Sequence, residues 1–381
     1  MSARARNRSD EPDVVPEADR LEGFAHPRET EKLLGQAAAK AEFMAALDSE
    51  RAHHAWLLQG PEGVGKATLA YRVARFLLAP PQEREPSLLG PAELGLVPGS
   101  RTARQVAALS HPGLFVIRRP WDQQRKRFAT AITVDRVRKL RSFLTLSADA
   151  GAWRVVIVDR ADELNINAAN ALLKSLEEPP KRCLFMLIAS EPGRLLTTIR
   201  SRCRRLDLVA LDQVDLKAAV GAACQVSGVA PPGDGDWGLL ETLSGGSVRQ
   251  ALMLSQGDGL ATYTRLIGIL NGLPDLDRGS AIAMADELSG VGGDQRYEMF
   301  FELLGNLIVR LVRHVAKGGN AENDEAVLAR RLIQGDRVAH WASLWETIHR
   351  EKADVDLLNL DRRTLVLTTL LRLDAASRQM A

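Results

Sequence analysis

The chain has 381 residues, 45% of them hydrophobic and 26% charged, with a formal net charge of +2, so it has the make-up of a soluble globular protein with room for two or three domains. So small a net charge excludes a whole-chain basic field for nucleic acid, and no apolar run is long enough to span a membrane. Three scattered cysteines (Cys183, Cys203 and Cys224) with no CxxC exclude a disulfide scaffold and a cysteine zinc site, and they suit a reducing cytoplasm.

The first 23 residues are polar and hold no apolar stretch of the kind a signal sequence needs; their arginines are soon followed by Glu11, Asp13, Glu17 and Asp19. This composition predicts a disordered tail over 1–23. "AWLLQG" (55–60) is a buried-strand run ending in glycine. "ATLAYRVARFLLA" (67–79) then repeats apolar residues at helical spacing until Pro80 and Pro81 stop it. Residues 80–113, rich in Pro, Gly and Ser, read as an irregular insertion. "LFVIR" (114–118) is strand-like, and "VDRVRKLRSFLTLSA" (134–148) is an amphipathic helix. "RVVIVD" (154–159), "CLFMLIAS" (183–190) and "RLDLVAL" (205–211) are further strands with helices between them. Continuous apolar strands separated by helices predict an α/β fold with a parallel sheet covered on both faces. After Leu211 the pattern becomes helical: a small helical domain over 212–258, then from about residue 262 a helical bundle to the end.

"GPEGVGKAT" (60–68) stands directly after a strand and directly before a helix, the context of a phosphate-binding loop. Gly60, Gly63 and Gly65 let backbone amides close around phosphate oxygens, the helix N-terminus adds partial positive charge, and Lys66 reaches the outer phosphates. Ala67 stands where the magnesium-binding hydroxyl belongs. Thr68, in the same nucleotide-binding stretch, is rotated by roughly 100° about the helix axis and points elsewhere. The bland alternative is a glycine-rich turn with an exposed lysine. Asp159 ends a strand where a loop ATPase keeps its magnesium carboxylate; the bland alternative is a cap for the next helix, and the loop upstream favours the nucleotide-site reading. Arg160 follows it where a hydrolysing enzyme usually carries a glutamate, and a guanidinium cannot take a proton from water. His111, alone in "SHPG", reads as a turn residue rather than a ligand. The basic segment 118–141, with Trp121, either faces DNA phosphates or a partner, or is a solvated hairpin and helix.

Beyond these stretches, "NAANALLKSLEEPP" (167–180) and "LLTTIRSRC" (195–203) resemble the bacterial clamp-loader subunits, AAA+ proteins that open a ring-shaped sliding clamp and place it on primed DNA. The resemblance covers roughly residues 24–260. It implies an AAA+ nucleotide-binding domain over 24–211, a helical lid over 212–260 and a helical collar for oligomerisation over 261–381. The arginine of "SRC", Arg202, becomes an arginine finger for a neighbour's site; the alternative is a surface arginine in the basic run with Arg200, Arg204 and Arg205. Ser190 takes the place of the terminal-phosphate sensor, and Arg249 in "LSGGSVRQAL" (243–252) that of the second sensor.

The family's motor type (gamma/tau) keeps the loop hydroxyl and the acidic pair. Ala67 and Arg160 lack both while "SRC" is intact, a combination that resembles the stationary delta-prime type. The implied partners are motor and delta subunits, the clamp and primed DNA, with no membrane. The implied cofactor is ATP or ADP with Mg2+, held weakly or without hydrolysis, and no zinc, since the insertion lacks cysteine. The alternatives are an active gamma/tau-type motor and a DNA-binding AAA+ repair factor.

Overall fold

A computed structural model describes residues 16–47, 53–85, 94–124, 127–145, 152–256, 258–290, 293–317, 324–333 and 337–378. The chain divides into two compact units, Met1–Leu252 and Met253–Ala381.

In the first unit, β1 (Ala55–Gln59), β2 (Leu114–Ile117), β5 (Arg154–Val158), β6 (Cys183–Ala189) and β7 (Arg204–Asp207) form one sheet in the order β2-β5-β6-β1-β7. Every pairing in it is parallel. A separate two-stranded antiparallel hairpin joins β3 (Trp121–Asp122) to β4 (Arg127–Phe128). The parallel sheet is the one the apolar runs predict, because strands buried on both faces cannot carry a polar alternation. Trp56, Leu58, Met186 and Ile188 point to one face, where they pack with Leu69, Ala70 and Tyr71. Leu57, Val156, Val158, Phe185 and Leu187 point to the other and meet Ala169, Leu172 and Leu176. Burial of successive residues on opposite faces follows the two-residue period of the strand.

The helices of this unit are α1 (Ala37–Leu47), α2 (Lys66–Leu78), α3 (Arg101–Ala107), α4 (Val134–Thr145), α5 (Ile166–Glu177), α6 (Thr197–Arg200), α7 (Gln213–Ser227), α8 (Trp237–Ser244) and α9 (Val248–Ser255), the last running past the unit's boundary at Leu252. Local capping fixes several starts. Asn165 accepts from Ala168 N at 2.8 Å ahead of α5, and Asp212 accepts from Asp215 N at 2.8 Å ahead of α7. Gly228, at φ 67°, closes α7 in the left-handed conformation.

Three expectations need correction. Residues 16–23 are packed, not a loose tail: Glu17 pairs with Arg28 at 2.8 Å and Arg118 at 2.5 Å, while Asp19 meets Arg118 at 2.7 Å and His26 at 2.9 Å. The polarity of the stretch serves an internal ion-pair network; residues 1–15 of the expected tail lie outside the described residues. Within the insertion 80–113, α3 is regular, started by Ser100, whose hydroxyl accepts from Ala103 N at 3.2 Å. The last strand ends at Asp207 rather than Leu211, because the Gln36 side-chain amide then takes over, bonding Val209 N at 3.1 Å and Val209 O at 2.7 Å. His111 does act in a turn, accepting from Gly113 N at 3.0 Å through Nδ1.

The second unit is built from α10 (Gly259–Asn271), α11 (Arg278–Ser289), α12 (Asp294–Lys317), α13 (Asp324–Leu332), α14 (Val338–Leu358) and α15 (Arg362–Arg378). Tyr297, Phe300, Leu304, Leu307 and Trp341 are fully buried among them. Gly305 lets α12 and α14 approach, since a Cβ there would lie 2.2 Å from the Trp345 ring. A buried carboxylate, Glu325, is satisfied by Arg310 at 2.9 Å and Tyr263 at 2.5 Å. Among the described residues this unit contains no strand, as the leucine and alanine spacing predicts.

Candidate nucleotide site

The carboxyl ends of β1, β5 and β6 lie side by side, and the residues that follow them are Gly60, Asp159 and Ser190. A cleft of about 740 Å³ opens there, lined by Gly63, Gly65, Lys66, Asp159, Ser190 and Arg249 among others. This is where an open parallel sheet binds its ligands. Of the nucleotide-binding residues expected from the sequence, Gly63, Gly65, Lys66, Thr68, Asp159, Ser190 and Arg249 line this cleft, and Gly60 is tied to it through its carbonyl, which accepts from Lys66 Nζ. Ala67 lines the same cleft.

Two glycines shape the loop. A Cβ on Gly60 (φ 140°) would lie 2.0 Å from Leu208 O, and one on Gly63 (φ 77°) would lie 2.2 Å from Ser247 Oγ and 2.7 Å from Arg249 Cβ. The Gly63 carbonyl in turn accepts from Val248 N at 3.0 Å, so α9 starts directly on the loop and carries Arg249 to it.

Lys66 Nζ donates to Gly60 O at 2.7 Å, Pro61 O at 2.5 Å and Ser190 Oγ at 3.0 Å. All three ammonium hydrogens are therefore engaged. Burial brings its pKa down to about 8, against the attraction of Glu62, Asp162 and Asp159.

The acidic partners differ from those of a hydrolysing site. Asp159 is fully enclosed, and its pKa is raised, first by burial and then by the Asp19 carboxyl hydrogen-bonded to it. Asp162 does not replace the absent glutamate, because its Oδ2 accepts from Ser190 N at 3.0 Å and Glu191 N at 2.8 Å. Arg160 sits at φ 53°, a left-handed conformation held by ion pairs to Glu163 at 3.1 Å and to Glu62 of the loop. The same Glu62 oxygen lies 3.5 Å from Arg249 Nε.

These residues fit phosphate and not magnesium. The glycine loop, Lys66 and the guanidiniums of Arg160 and Arg249 are donors around one cleft. The metal expected with the nucleotide lacks its ligands: residue 67 offers only a methyl group, Asp159 is turned against Asp19, and a guanidinium stands beside it. Among the described residues no cluster of three His, Cys, Asp or Glu side chains is arranged to hold a metal ion.

Arg202 lies at the other end of the sheet. β7 runs parallel to β1 with Trp56 opposite Arg204 and Gln59 opposite Asp207, so Arg202 precedes the start of the strand while the loop follows the end of its neighbour. A strand length of roughly 10 Å separates the two ends. Arg202 is partly exposed, pairs with Glu177 of "LEEPP" at 2.7 Å and donates to Thr198 O at 3.0 Å.

Sequence reasoning missed Glu62, which joins the two arginines, and Asp19, which reaches Asp159 from 140 positions away. The acid in "GPEGVGK" was the only available signal for the first, and no local pattern carries the second.

Residues 35–212 match the family described as DNA polymerase III, delta subunit. A DNA polymerase III subunit delta' of Pseudomonas aeruginosa is 41% identical over 150 residues, 39% of this chain and 41% of that protein. The subunit delta' of Escherichia coli is 36% identical over 161 residues, 42% and 44% of the two chains. A DNA polymerase III subunit gamma/tau of Mycobacterium tuberculosis is 31% identical over 274 residues, 68% of this chain and 44% of that protein. The chain thus spans less than half the length of each of these relatives. A crystal structure of a DNA polymerase III gamma subunit-related protein from Thermotoga maritima aligns over 89% of this chain and 99% of its own, with a TM-score of 0.40 and 17% identity.

Proposed function

We propose that this chain, whose residues 35–212 match the family described as DNA polymerase III, delta subunit, is a delta-prime-type stator of the replicative clamp loader. In this reading, it completes a ring of subunits, lends Arg202 to the nucleotide site of a neighbouring motor subunit and helps load the sliding clamp on primed DNA. Its nucleotide-binding domain spans 24–211, its lid 212–260 and its oligomerising collar 261–381. The motor and delta subunits are its partners. No helix among the described residues is long and apolar enough to cross a membrane.

The observation that carries this reading is the separation between the loop and Arg202 at opposite ends of one sheet. Arg202 cannot serve the chain's own loop, and a guanidinium acting on phosphate from that position must act in trans. The loop's chemistry supports the same division of labour. With no hydroxyl at residue 67, no base after Asp159 and Asp162 bonded to backbone, the site is suited to holding ATP or ADP and not to turning it over.

The test is Arg202→Ala in the reconstituted loader. We expect ATPase activity of the assembly to drop at least about tenfold, because a trans arginine on a transferring phosphoryl group is worth three orders of magnitude or more elsewhere. Loss of its one exposed ion pair should change the stability of the isolated chain by less than about 1 kcal/mol. Full activity with Arg202→Ala sinks the finger assignment. The gamma/tau likeness, which covers 68% of this chain, favours an active motor as the second reading. Steady ATP turnover by the isolated chain, abolished by Lys66→Ala, would decide for it.

A further inference from the structure

The Glu62 side chain makes an unusual set of contacts for a residue inside a phosphate-binding loop. Its Oε1 pairs with Arg160 and lies 3.5 Å from Arg249 Nε, so one carboxylate oxygen is shared by two guanidiniums at the mouth of the cleft. A phosphate oxygen would make the same contacts, since guanidinium groups bind carboxylate and phosphate through the same fork of N–H donors. Glu62 is about half exposed, on a loop, and free to turn outward. The place beside Asp159 and Ala67 meanwhile lacks the oxygen ligands a divalent cation needs.

We propose that Arg160, together with Arg249, takes the place of magnesium: the loop binds the polyphosphate of a metal-free nucleoside di- or triphosphate once the Glu62 carboxylate swings aside. The inference rests on the reading that the loop holds a nucleotide. A metal-free triphosphate carries two more negative charges than its magnesium complex. Lys66, Arg160 and Arg249 supply the compensating positive charge from within the protein, and Glu62 competes for it. Magnesium in solution then weakens binding instead of promoting it, because the complexed nucleotide presents less charge and brings a cation toward two guanidiniums. The site becomes a holder of phosphate whose own cation is covalently part of the chain.

The experiment is a titration of the purified full chain with a fluorescent ADP or ATP, in EDTA and in millimolar magnesium. We expect binding in EDTA at least as tight as in magnesium. Glu62→Gln should tighten it roughly tenfold by removing the competing charge, and Arg160→Gln should weaken it roughly tenfold in EDTA, the worth of one charged hydrogen bond. Unchanged melting temperatures confirm that both variants fold. Since the two variants move binding in opposite directions, a general loss of structure does not imitate the pattern. Binding that requires magnesium, or that is indifferent to Arg160→Gln and Glu62→Gln, overturns the proposal while leaving nucleotide binding by the loop intact. No binding by the wild type or Glu62→Gln in either buffer overturns both.

Discussion

Gly60 leaves β1 at φ 140° with the Leu208 carbonyl oxygen where a side chain would begin. Gly60→Ala therefore combines backbone strain with a clash against main chain that cannot move away. We expect a loss of at least about 2 kcal/mol, read as a shift of the urea midpoint at unchanged slope. Lys66 makes a second prediction. With its pKa brought down to about 8 in the folded chain, against 10.5 for an ordinary lysine, the unfolded chain binds more protons between those values. The Lys66 contribution to stability thus rises as pH climbs from about 8 toward 10.5, while its grip on phosphate weakens over the same window. Comparing the pH dependence of melting for the wild type and Lys66→Met checks the first, and nucleotide titration at pH 7 and 9 the second. At this scale the sequence was informative where chemistry is local: glycines before a helix, a lysine after them, an aspartate ending a strand. It was silent on Glu62 and Asp19, whose roles depend on which side chains tertiary folding sets opposite them.

Among the elements, the segment that carries Glu17 and Asp19 is tied into the first unit through Arg28, His26 and Arg118. Burial by itself would raise the Glu17 pKa, but hydrogen bonds to Arg28 and Arg118 outweigh it and hold the group down at about 2. Asp19 is likewise held low: burial opposes this, and the contact with His26 and the charge of Arg118 prevail. A carboxylate whose folded pKa lies below its unfolded value of 4.5 stabilises above that pH and loses the effect as pH falls toward 2. Acid titration followed by circular dichroism should show the wild type losing stability across this range. Glu17→Gln should flatten that slope and cost about 2 kcal/mol at neutral pH. Such a segment reads as a tail from composition alone, because composition counts charges without showing their partners. The short helix α3 escaped notice for a related reason: of its seven residues only Thr102 and Val106 are buried, too few to make a period. The parallel sheet, by contrast, was legible because each of its central strands is apolar on both faces.

For the whole molecule, the helical second unit followed from the spacing of its leucines, since a bundle needs little beyond an apolar stripe on each helix. A stator with a site unsuited to turnover should be present once per loader beside several motor subunits. Native mass spectrometry of the assembled complex gives that count, and two or more copies in the working position would contradict the assignment. The opposite placement of Arg202 and the loop has a consequence for assembly itself. A subunit with a donor at one end and an acceptor at the other joins its neighbours head to tail, so the contact is heterologous and confers a direction on the ring. A two-fold pairing would set donor against donor and leave both without a phosphate to act on. On the proposed reading, in which this chain keeps the donor while its acceptor end holds nucleotide without consuming it, it would mark the point in the circle where the relay of working sites stops, and so would distinguish one end of the series from the other.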